Sequence, residues 1–180
     1  MTPETERAGY TIRPSRASDL PLLGDVERSA ASLFAGMDLA PGVLVDVTVL
    51  EDFEDAHAED NLWVAAGPDG RPVGFAFVEL VDDAAHLDEL DVHLDHGRRG
   101  LGAALVRAVC AATRQRGLPA VTLTTFRDVA WNAPFYEKLG FRALRSEELT
   151  PELAELLRVE AERGLPAERR VVMRWAAQTP

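Results

Sequence analysis

From His86 to Leu94 the chain reads HLDELDVHL, whose alternation places Leu90, Val92 and Leu94 on one face and Glu89, Asp91 and His93 on the other. Period two is the signature of a strand. After Gly100 the period lengthens: Leu101, Leu105, Ala108 and Ala112 recur at steps of three and four, a helical stripe that Gly117 can stop. The same reading runs through the rest of the chain. A short strand starts at Tyr10, and a helix follows that Ser18 caps, with Asp19 in its first turn, running to about Phe34. Gly36, Pro41 and Gly42 mark a loop, and a short helix fits Leu50 to Glu59. NLWVAAG and PVGFAFVELV form a hairpin about the turn PDGR. PAVTLTTF is a strand, WNAPFYEKLG a short helix closed by Gly140, and FRALRSEE a returning strand. Thr150 and Pro151 open a helix over PELAELLRVEAERG, and RRVVMRW is the last strand. No repeat, low-complexity tract or linker interrupts this order, so residues 1–180 read as one α/β domain on a mixed sheet.

Charge and cysteine content narrow the possibilities. Asp and Glu number 30 against 19 Lys and Arg, a net charge of -11, which argues against nonspecific nucleic-acid binding. No Lys or Arg falls between Arg28 and Arg71, where acidic residues are frequent. That segment is either a solvated acidic surface or a field that draws in a cationic substrate. The single cysteine, Cys110, rules out an intramolecular disulfide and a cysteine-cluster metal site, and its helical position makes it a core residue. No apolar run is long enough to span a bilayer, and MTPETERAGY has neither the basic start nor the apolar stretch of a signal peptide. The expectation is a cytoplasmic protein with no membrane partner.

The joint HGRRGLGA, between the alternating strand and the long helix, is the place where chemistry is expected. A helix start leaves main-chain N–H groups unpaired, and these and the helix dipole favour an anion. Gly97, Gly100 and Gly102 allow close approach, and Arg98 and Arg99 add positive charge. A P-loop needs Lys and then Ser or Thr where Ala103 and Ala104 stand. The dinucleotide fingerprint needs a small residue at Leu105 and a βαβ setting, whereas this joint follows paired strands.

With those two excluded, the joint resembles the GNAT superfamily of acyl-CoA-dependent N-acetyltransferases, whose strand leads into Gln or Arg, two residues, Gly, one residue, Gly or Ala, and a long helix. Gly100 and Gly102 match, while Gly97 stands where the family usually has Gln or Arg. IRPSRASDLPLL is similar to the family's first strand and helix, and FYEKLGF to a later helix and strand. The resemblance implies a mostly antiparallel, twisted mixed sheet of about six to seven strands flanked by four to five helices. It implies that Gly97, Arg98, Arg99, Gly100, Leu101, Gly102 and Ala103 hold the pyrophosphate of acetyl-CoA. Leu90, Asp91 and Val92 would run along the pantetheine arm.

Acetyl transfer to an amine is the implied reaction, by direct attack in a ternary complex with neither a metal nor a covalent cysteine. Tyr136 is the implied acid, delivering a proton to the coenzyme A sulfur; the alternative is a tyrosine that merely packs at a helix start. Glu89 is the candidate base, with Asp91, His93 and a held water as rivals and His86 placed at the strand edge. A main-chain N–H near Val92 could steady the developing oxyanion. The family's CoA-touching asparagine falls on Val129 here; Asn132 instead reads as a helix cap ahead of Ala133 and Pro134, with cofactor contact as its second role. The acceptor would be a small-molecule amine or a peptide terminus, cationic if the acidic segment faces it, and the assembly a monomer or homodimer. Two other classes stay open: an acyl-CoA-binding sensor of the same fold without transferase activity, and a nucleotide phosphotransferase that would prefer ATP.

Overall fold

The computed structural model describes residues 5–7, 9–37 and 48–177. Strands β3 (Leu62–Ala66), β4 (Pro72–Val81) and β5 (Ala84–Val92) form the antiparallel meander that the alternating sequence predicts. β1 (Thr5–Arg7) and β2 (Tyr10–Pro14) extend it on one side. On the other side lie β6 (Ala120–Phe126), β8 (Arg170–Ala176) and the two-residue β7 (Arg142–Ala143). The sheet order is β1-β2-β3-β4-β5-β6-β8-β7, with β5 and β6 the one parallel pair among the described strands. This is the expected mixed, mostly antiparallel sheet. Its strand number reaches eight because two very short edge strands join it.

Helices cover both faces. α3 (Leu101–Gln115) buries Leu101, Leu105, Val106 and Val109 against Leu87, Val121 and Leu123 of one face. α1 (Leu20–Ala31) and α2 (Leu50–Ala58) bury Leu20, Leu23, Val26 and Phe53 against Val64, Phe75 and Phe77 of the other. β4 serves both layers by alternation, Ala76 and Val78 toward α3, Phe75 and Phe77 toward α1 and α2. α4 (Ala133–Glu137) and α5 (Pro151–Glu162) complete the set, and Thr150 caps α5 as expected, accepting from the Leu153 N–H at 3.2 Å.

One extra residue sets the polarity of β5. Phe77 pairs with Glu89 but Val78 pairs with Leu87, so Asp88 is a β-bulge. Ala85 and Leu87 before it, and Leu90 and Val92 after it, therefore all pack toward α3. β5 pairs with β6 only at Ala85↔Val121 and His86↔Thr122, after which the strands diverge.

Four local expectations are corrected. Ser18 does not cap α1. Asp19 holds the cap position, but its carboxylate is taken by the buried Arg13 guanidinium at 2.6 and 3.0 Å and by the Arg16 N–H at 2.8 Å. α1 ends at Ala31 and the path to Phe34 tightens into a 3₁₀ turn, Ser32–Phe34. FRALRSEE forms only the two strand residues of β7. Glu148 then draws in both Arg142 and Arg145, and that favours the 3₁₀ turn Ser146–Glu148. His86 is not at an edge but buried inside the sheet, its Nδ1 2.9 Å from Thr122 Oγ1, and burial lowers its pKa to about 4. The loop read at Gly36, Pro41 and Gly42 lies largely outside the described residues.

Gly74 shows how closely β4 approaches the end of β5. A Cβ built there would stand 2.8 Å from the Asp91 carbonyl oxygen, a backbone atom that cannot step aside. Gly74→Ala is expected to lower stability by about 1–3 kcal/mol, the usual range for overpacking. Denaturant titration checks it, and an unchanged midpoint contradicts the close contact.

Candidate active site

Where β5 leaves β6, a cavity of about 810 Å³ opens between the strands, α1, the start of α3 and α4. It is the natural outcome of the splay. Main-chain groups of β5 beyond His86 have lost their neighbour on that side, and buried backbone groups require partners. Leu90, Asp91 and Val92 line this gap, as do Thr124, Thr125 and Phe126 of the departing β6.

The glycine joint forms one end. His93 ends the strand with its N–H bound to the Val73 carbonyl at 2.9 Å, and Leu94–His96 makes a 3₁₀ turn. A Cβ at Gly97 would meet the Leu94 carbonyl at 3.2 Å, so this tight turn favours the glycine found where the family carries Gln or Arg. Arg98 (φ +58°) and Gly100 (φ +76°) then turn the chain through the left-handed region into α3. Among the described residues, the main-chain N–H groups of Arg98 to Ala103 find no acceptor, leaving a cluster of donors at the positive end of a fifteen-residue helix. Arg98 lines the cavity. The Arg99 side chain turns away to the Asp95 carbonyl at 3.3 Å and the Tyr10 ring at 5.8 Å, so only its N–H serves the cluster. Leu101 is buried in the core and likewise offers its main chain; Gly102 lines the cavity, and a Cβ there would reach Phe135, Leu90 and Val92.

Asn132 resolves differently from its expected role. It stands at the N-cap position of α4 but makes no side-chain cap; its Nδ2 donates to Thr125 Oγ1 at 2.7 Å. Its Oδ1 is buried without a partner at the cavity wall. Free amides, a glycine that keeps the wall thin and an orphaned acceptor fit an elongated ligand bearing both phosphates and amide N–H groups, which is the chemistry of coenzyme A.

Carboxyl groups occupy the α1 side. Glu89 and Asp91 share the face that alternation assigned them, and Glu27 reaches in from α1. Glu27 and Glu89 are neighbours, each shifting the other's protonation. Glu27 also accepts from the Thr48 N–H at 3.0 and 3.1 Å and from Thr48 Oγ1 at 3.3 Å. Glu89 Oε2 is buried with no donor. Burial and then the neighbouring Asp91 push the Glu89 pKa up to about 9; burial and then Glu27 push Asp91 to about 7; Glu27 is raised by burial. Asp88, on the bulge, opens to the cavity while surrounded by protein, and burial followed by Glu79 lifts it to about 6. His93 does not line the cavity, so the structure does not bring this rival of Glu89 to the site.

Tyr136 lines the opposite wall, its ring packed edge-on to Phe135 and Phe141 at 5.0 and 5.6 Å. Burial, and next the charge of Asp91, raise its pKa well above the ordinary phenol value, which keeps the hydroxyl protonated. The packing role and a cavity-facing role are both realised in one side chain. Cys110 lies buried in α3, away from the cavity lining.

Sequence reasoning missed Glu27, Phe34, Phe126, Trp131 and Arg170, all on the cavity wall. Glu27 did leave a signal: it falls in the buried stripe of α1, between Leu23 and Ala30, where a charge needs a reason. The acidic residues of α2 do not line the cavity; its carboxyls come from α1 and β5.

A sheet split at a parallel pair, with free amides at the helix that follows, defines a class, and comparison with known proteins agrees. Residues 36–141 match the Acetyltransferase (GNAT) family, and the chain belongs to it. It is 38% identical over 98 residues to a mycothiol acetyltransferase of Nocardiopsis dassonvillei, covering 51% of this chain and 30% of that protein. It is 34% identical over 83 residues to a glucosamine 6-phosphate N-acetyltransferase of Trypanosoma brucei brucei, covering 42% and 54%. The matches thus span about a third to half of those relatives' lengths. In fold, it resembles N-acetylglutamate synthase from Neisseria gonorrhoeae, solved with coenzyme A and N-acetyl-glutamate, at a TM-score of 0.71 and 14% identity over 97% of this chain and 36% of that one. No described helix is long and apolar enough to cross a membrane.

The raised carboxyl pKa values carry a sign for stability. A carboxyl that titrates near pH 9 when folded and near 4.3 when unfolded binds more protons in the native state, so its stabilising contribution is full below about pH 4 and is lost as pH rises toward 9. Glu89→Gln removes the buried charge, and its melting temperature at pH 9 is expected to exceed that of the wild type by about 2–4 °C, equal to roughly 1 kcal/mol. The gap should close at pH 5. Calorimetry at the two pH values measures both, and a variant less stable than wild type at pH 9 contradicts the cluster.

Proposed function

We propose that the protein is an N-acetyltransferase that moves the acetyl group of acetyl-CoA to a primary amine by direct attack in a ternary complex. The observation that carries this reading is the set of free amides from Arg98 to Ala103 at the mouth of the gap between β5 and β6. Acetyl-CoA supplies an activated thioester. The amides and the Arg98 guanidinium hold its pyrophosphate. The Leu90–Val92 main chain stands in for a sheet neighbour along its amide-bearing arm, and the Asn132 Oδ1 accepts from it. A main-chain N–H near Val92 steadies the oxyanion.

Glu89 takes the proton that the acceptor ammonium must lose before it can attack, and Glu27 and Asp91 set the pH at which it does so. Tyr136 gives its proton to the departing thiolate, for which a phenol held protonated is suited. Placing both substrates in one cavity supplies the remaining acceleration by fixing their orientation.

Two predictions follow from these assignments. Tyr136→Phe is expected to lower kcat by about 10²-fold, the low end for general acid catalysis, with little change in the KM for acetyl-CoA. Asn132→Ala is expected to do the reverse, raising that KM several-fold and sparing kcat. Steady-state thiol release, on an amine panel, measures both.

A third concerns pH. Because Glu89 is raised to about 9, its basic form grows as pH rises from 7 to 9, and kcat/KM should climb over that interval. In Glu89→Gln the rate should be about 10²-fold lower and the climb flattened. A wild-type rate that falls with rising pH in this range would exclude Glu89 as the base.

A further inference from the structure

Two features at the acceptor end of the cavity bear on what binds there. The first is charge. Glu27, Glu89 and Asp91 converge with little positive charge among the described residues: Arg170 is tied to Glu160 at 2.7 and 2.9 Å, Arg98 belongs to the amide cluster, and Arg28, the one cation that acts on Glu27, is paired with Asp25 at the exposed rim. Asp91 faces the cavity without a hydrogen-bond partner among the described residues, and the orphaned Glu89 Oε2 lies beside it. Three carboxyl groups gathered around one rim guanidinium favour a ligand that brings positive charge of its own.

The second is an apolar rim on which, among the described residues, Trp131 is half exposed and Phe34 half-buried over the buried Phe126. Phe34, Phe126 and Trp131 form one aromatic group, with ring centroids 5.8 Å apart for Phe34 and Phe126 and 6.2 Å apart for Phe34 and Trp131. Leu33, Leu94 and Trp131, which line the same cavity, are 46%, 44% and 48% exposed. Among the described residues only Val49, Leu50 and Leu80 are comparable large apolar side chains left in water, and none of them lines this cavity. Exposed apolar surface gathered at the mouth of one cavity marks a ligand-binding wall.

We infer that the acceptor is an arylalkylamine: a primary amine joined by a short saturated linker to a flat apolar ring, without an anionic group. The ammonium enters among Glu27, Glu89 and Asp91, and the ring rests on Trp131 and Phe34. An acceptor with a carboxylate or phosphate would meet three carboxyls, with Arg28, already paired with Asp25, as the nearest described cation to offset it. A linear diamine has one feature in its favour, Asp88 on the bulge, but leaves the aromatic rim in water. The inference rests on the acetyltransferase reading for the position of the amine, and its test is by binding so that the two can fail separately.

The experiment is calorimetric titration of the CoA-saturated protein with phenethylamine, with phenylalanine, which adds a carboxylate to the same skeleton, and with cadaverine, a linear diamine. Phenethylamine is expected to bind at least about tenfold more tightly than either. Trp131→Ala should weaken phenethylamine about tenfold, Trp131→Phe should restore most of it, and CoA affinity should be unchanged in both. Tighter binding of cadaverine or phenylalanine, no binding of phenethylamine, or an indifferent Trp131→Ala overturns the inference. If phenethylamine binds as stated but no amine in a thiol-release screen is acetylated, the transferase reading falls and the acceptor site stands.

Discussion

The structure depends on a hydrogen-bonding debt in the middle of its sheet. A strand inside a sheet satisfies its main chain on both sides, and β5 does so only as far as His86. Beyond that point β6 departs, and everything nearby answers to the gap. The glycine turn gathers free amides at its mouth, Asn132 carries an unpartnered oxygen in its wall, and α1 contributes a carboxyl to its lining. A ligand with amide groups spaced along a flexible arm would restore a missing sheet neighbour. The unpaired edge and the cavity are one feature.

Holding three carboxyls in that gap opposes stability, because burial and mutual repulsion both disfavour their ionised forms. The fold tolerates this through surroundings that are well packed, with Leu23 of α1, Phe53 of α2 and Phe75 of β4 fully buried together. Thr48 offsets part of the cost at Glu27 by donating both its N–H and its hydroxyl. Local rules are broken at the site and kept around it, the usual arrangement where function competes with stability.

Much of this was legible in the amino-acid order. Long periodic segments such as 101–115 declare themselves, since their apolar faces repeat many times, whereas the phase break at Asp88 in β5 does not show in an alternation read from Glu89 onward. The glycine joint and Tyr136 were legible as motifs. Ser18 and Asn132 were misread because a cap is decided by competition. Asp19 had a buried guanidinium to satisfy, and Asn132 had Thr125, neither visible from spacing alone. The aromatic rim was not legible at all. Phe34, Phe126 and Trp131 come from three separate segments, and only the packed chain brings them together.

The bulge at Asp88 makes the chemistry of β5 a matter of counting. Residues 84–87 and 89–92 are out of phase by one, so the carboxyls face α1 and the leucine and valine face α3. Paired without that bulge, the same residues 89–92 would exchange faces, burying acid in the core and lining the gap with hydrocarbon. The unpaired residue is what lets two apolar runs of opposite parity share one core.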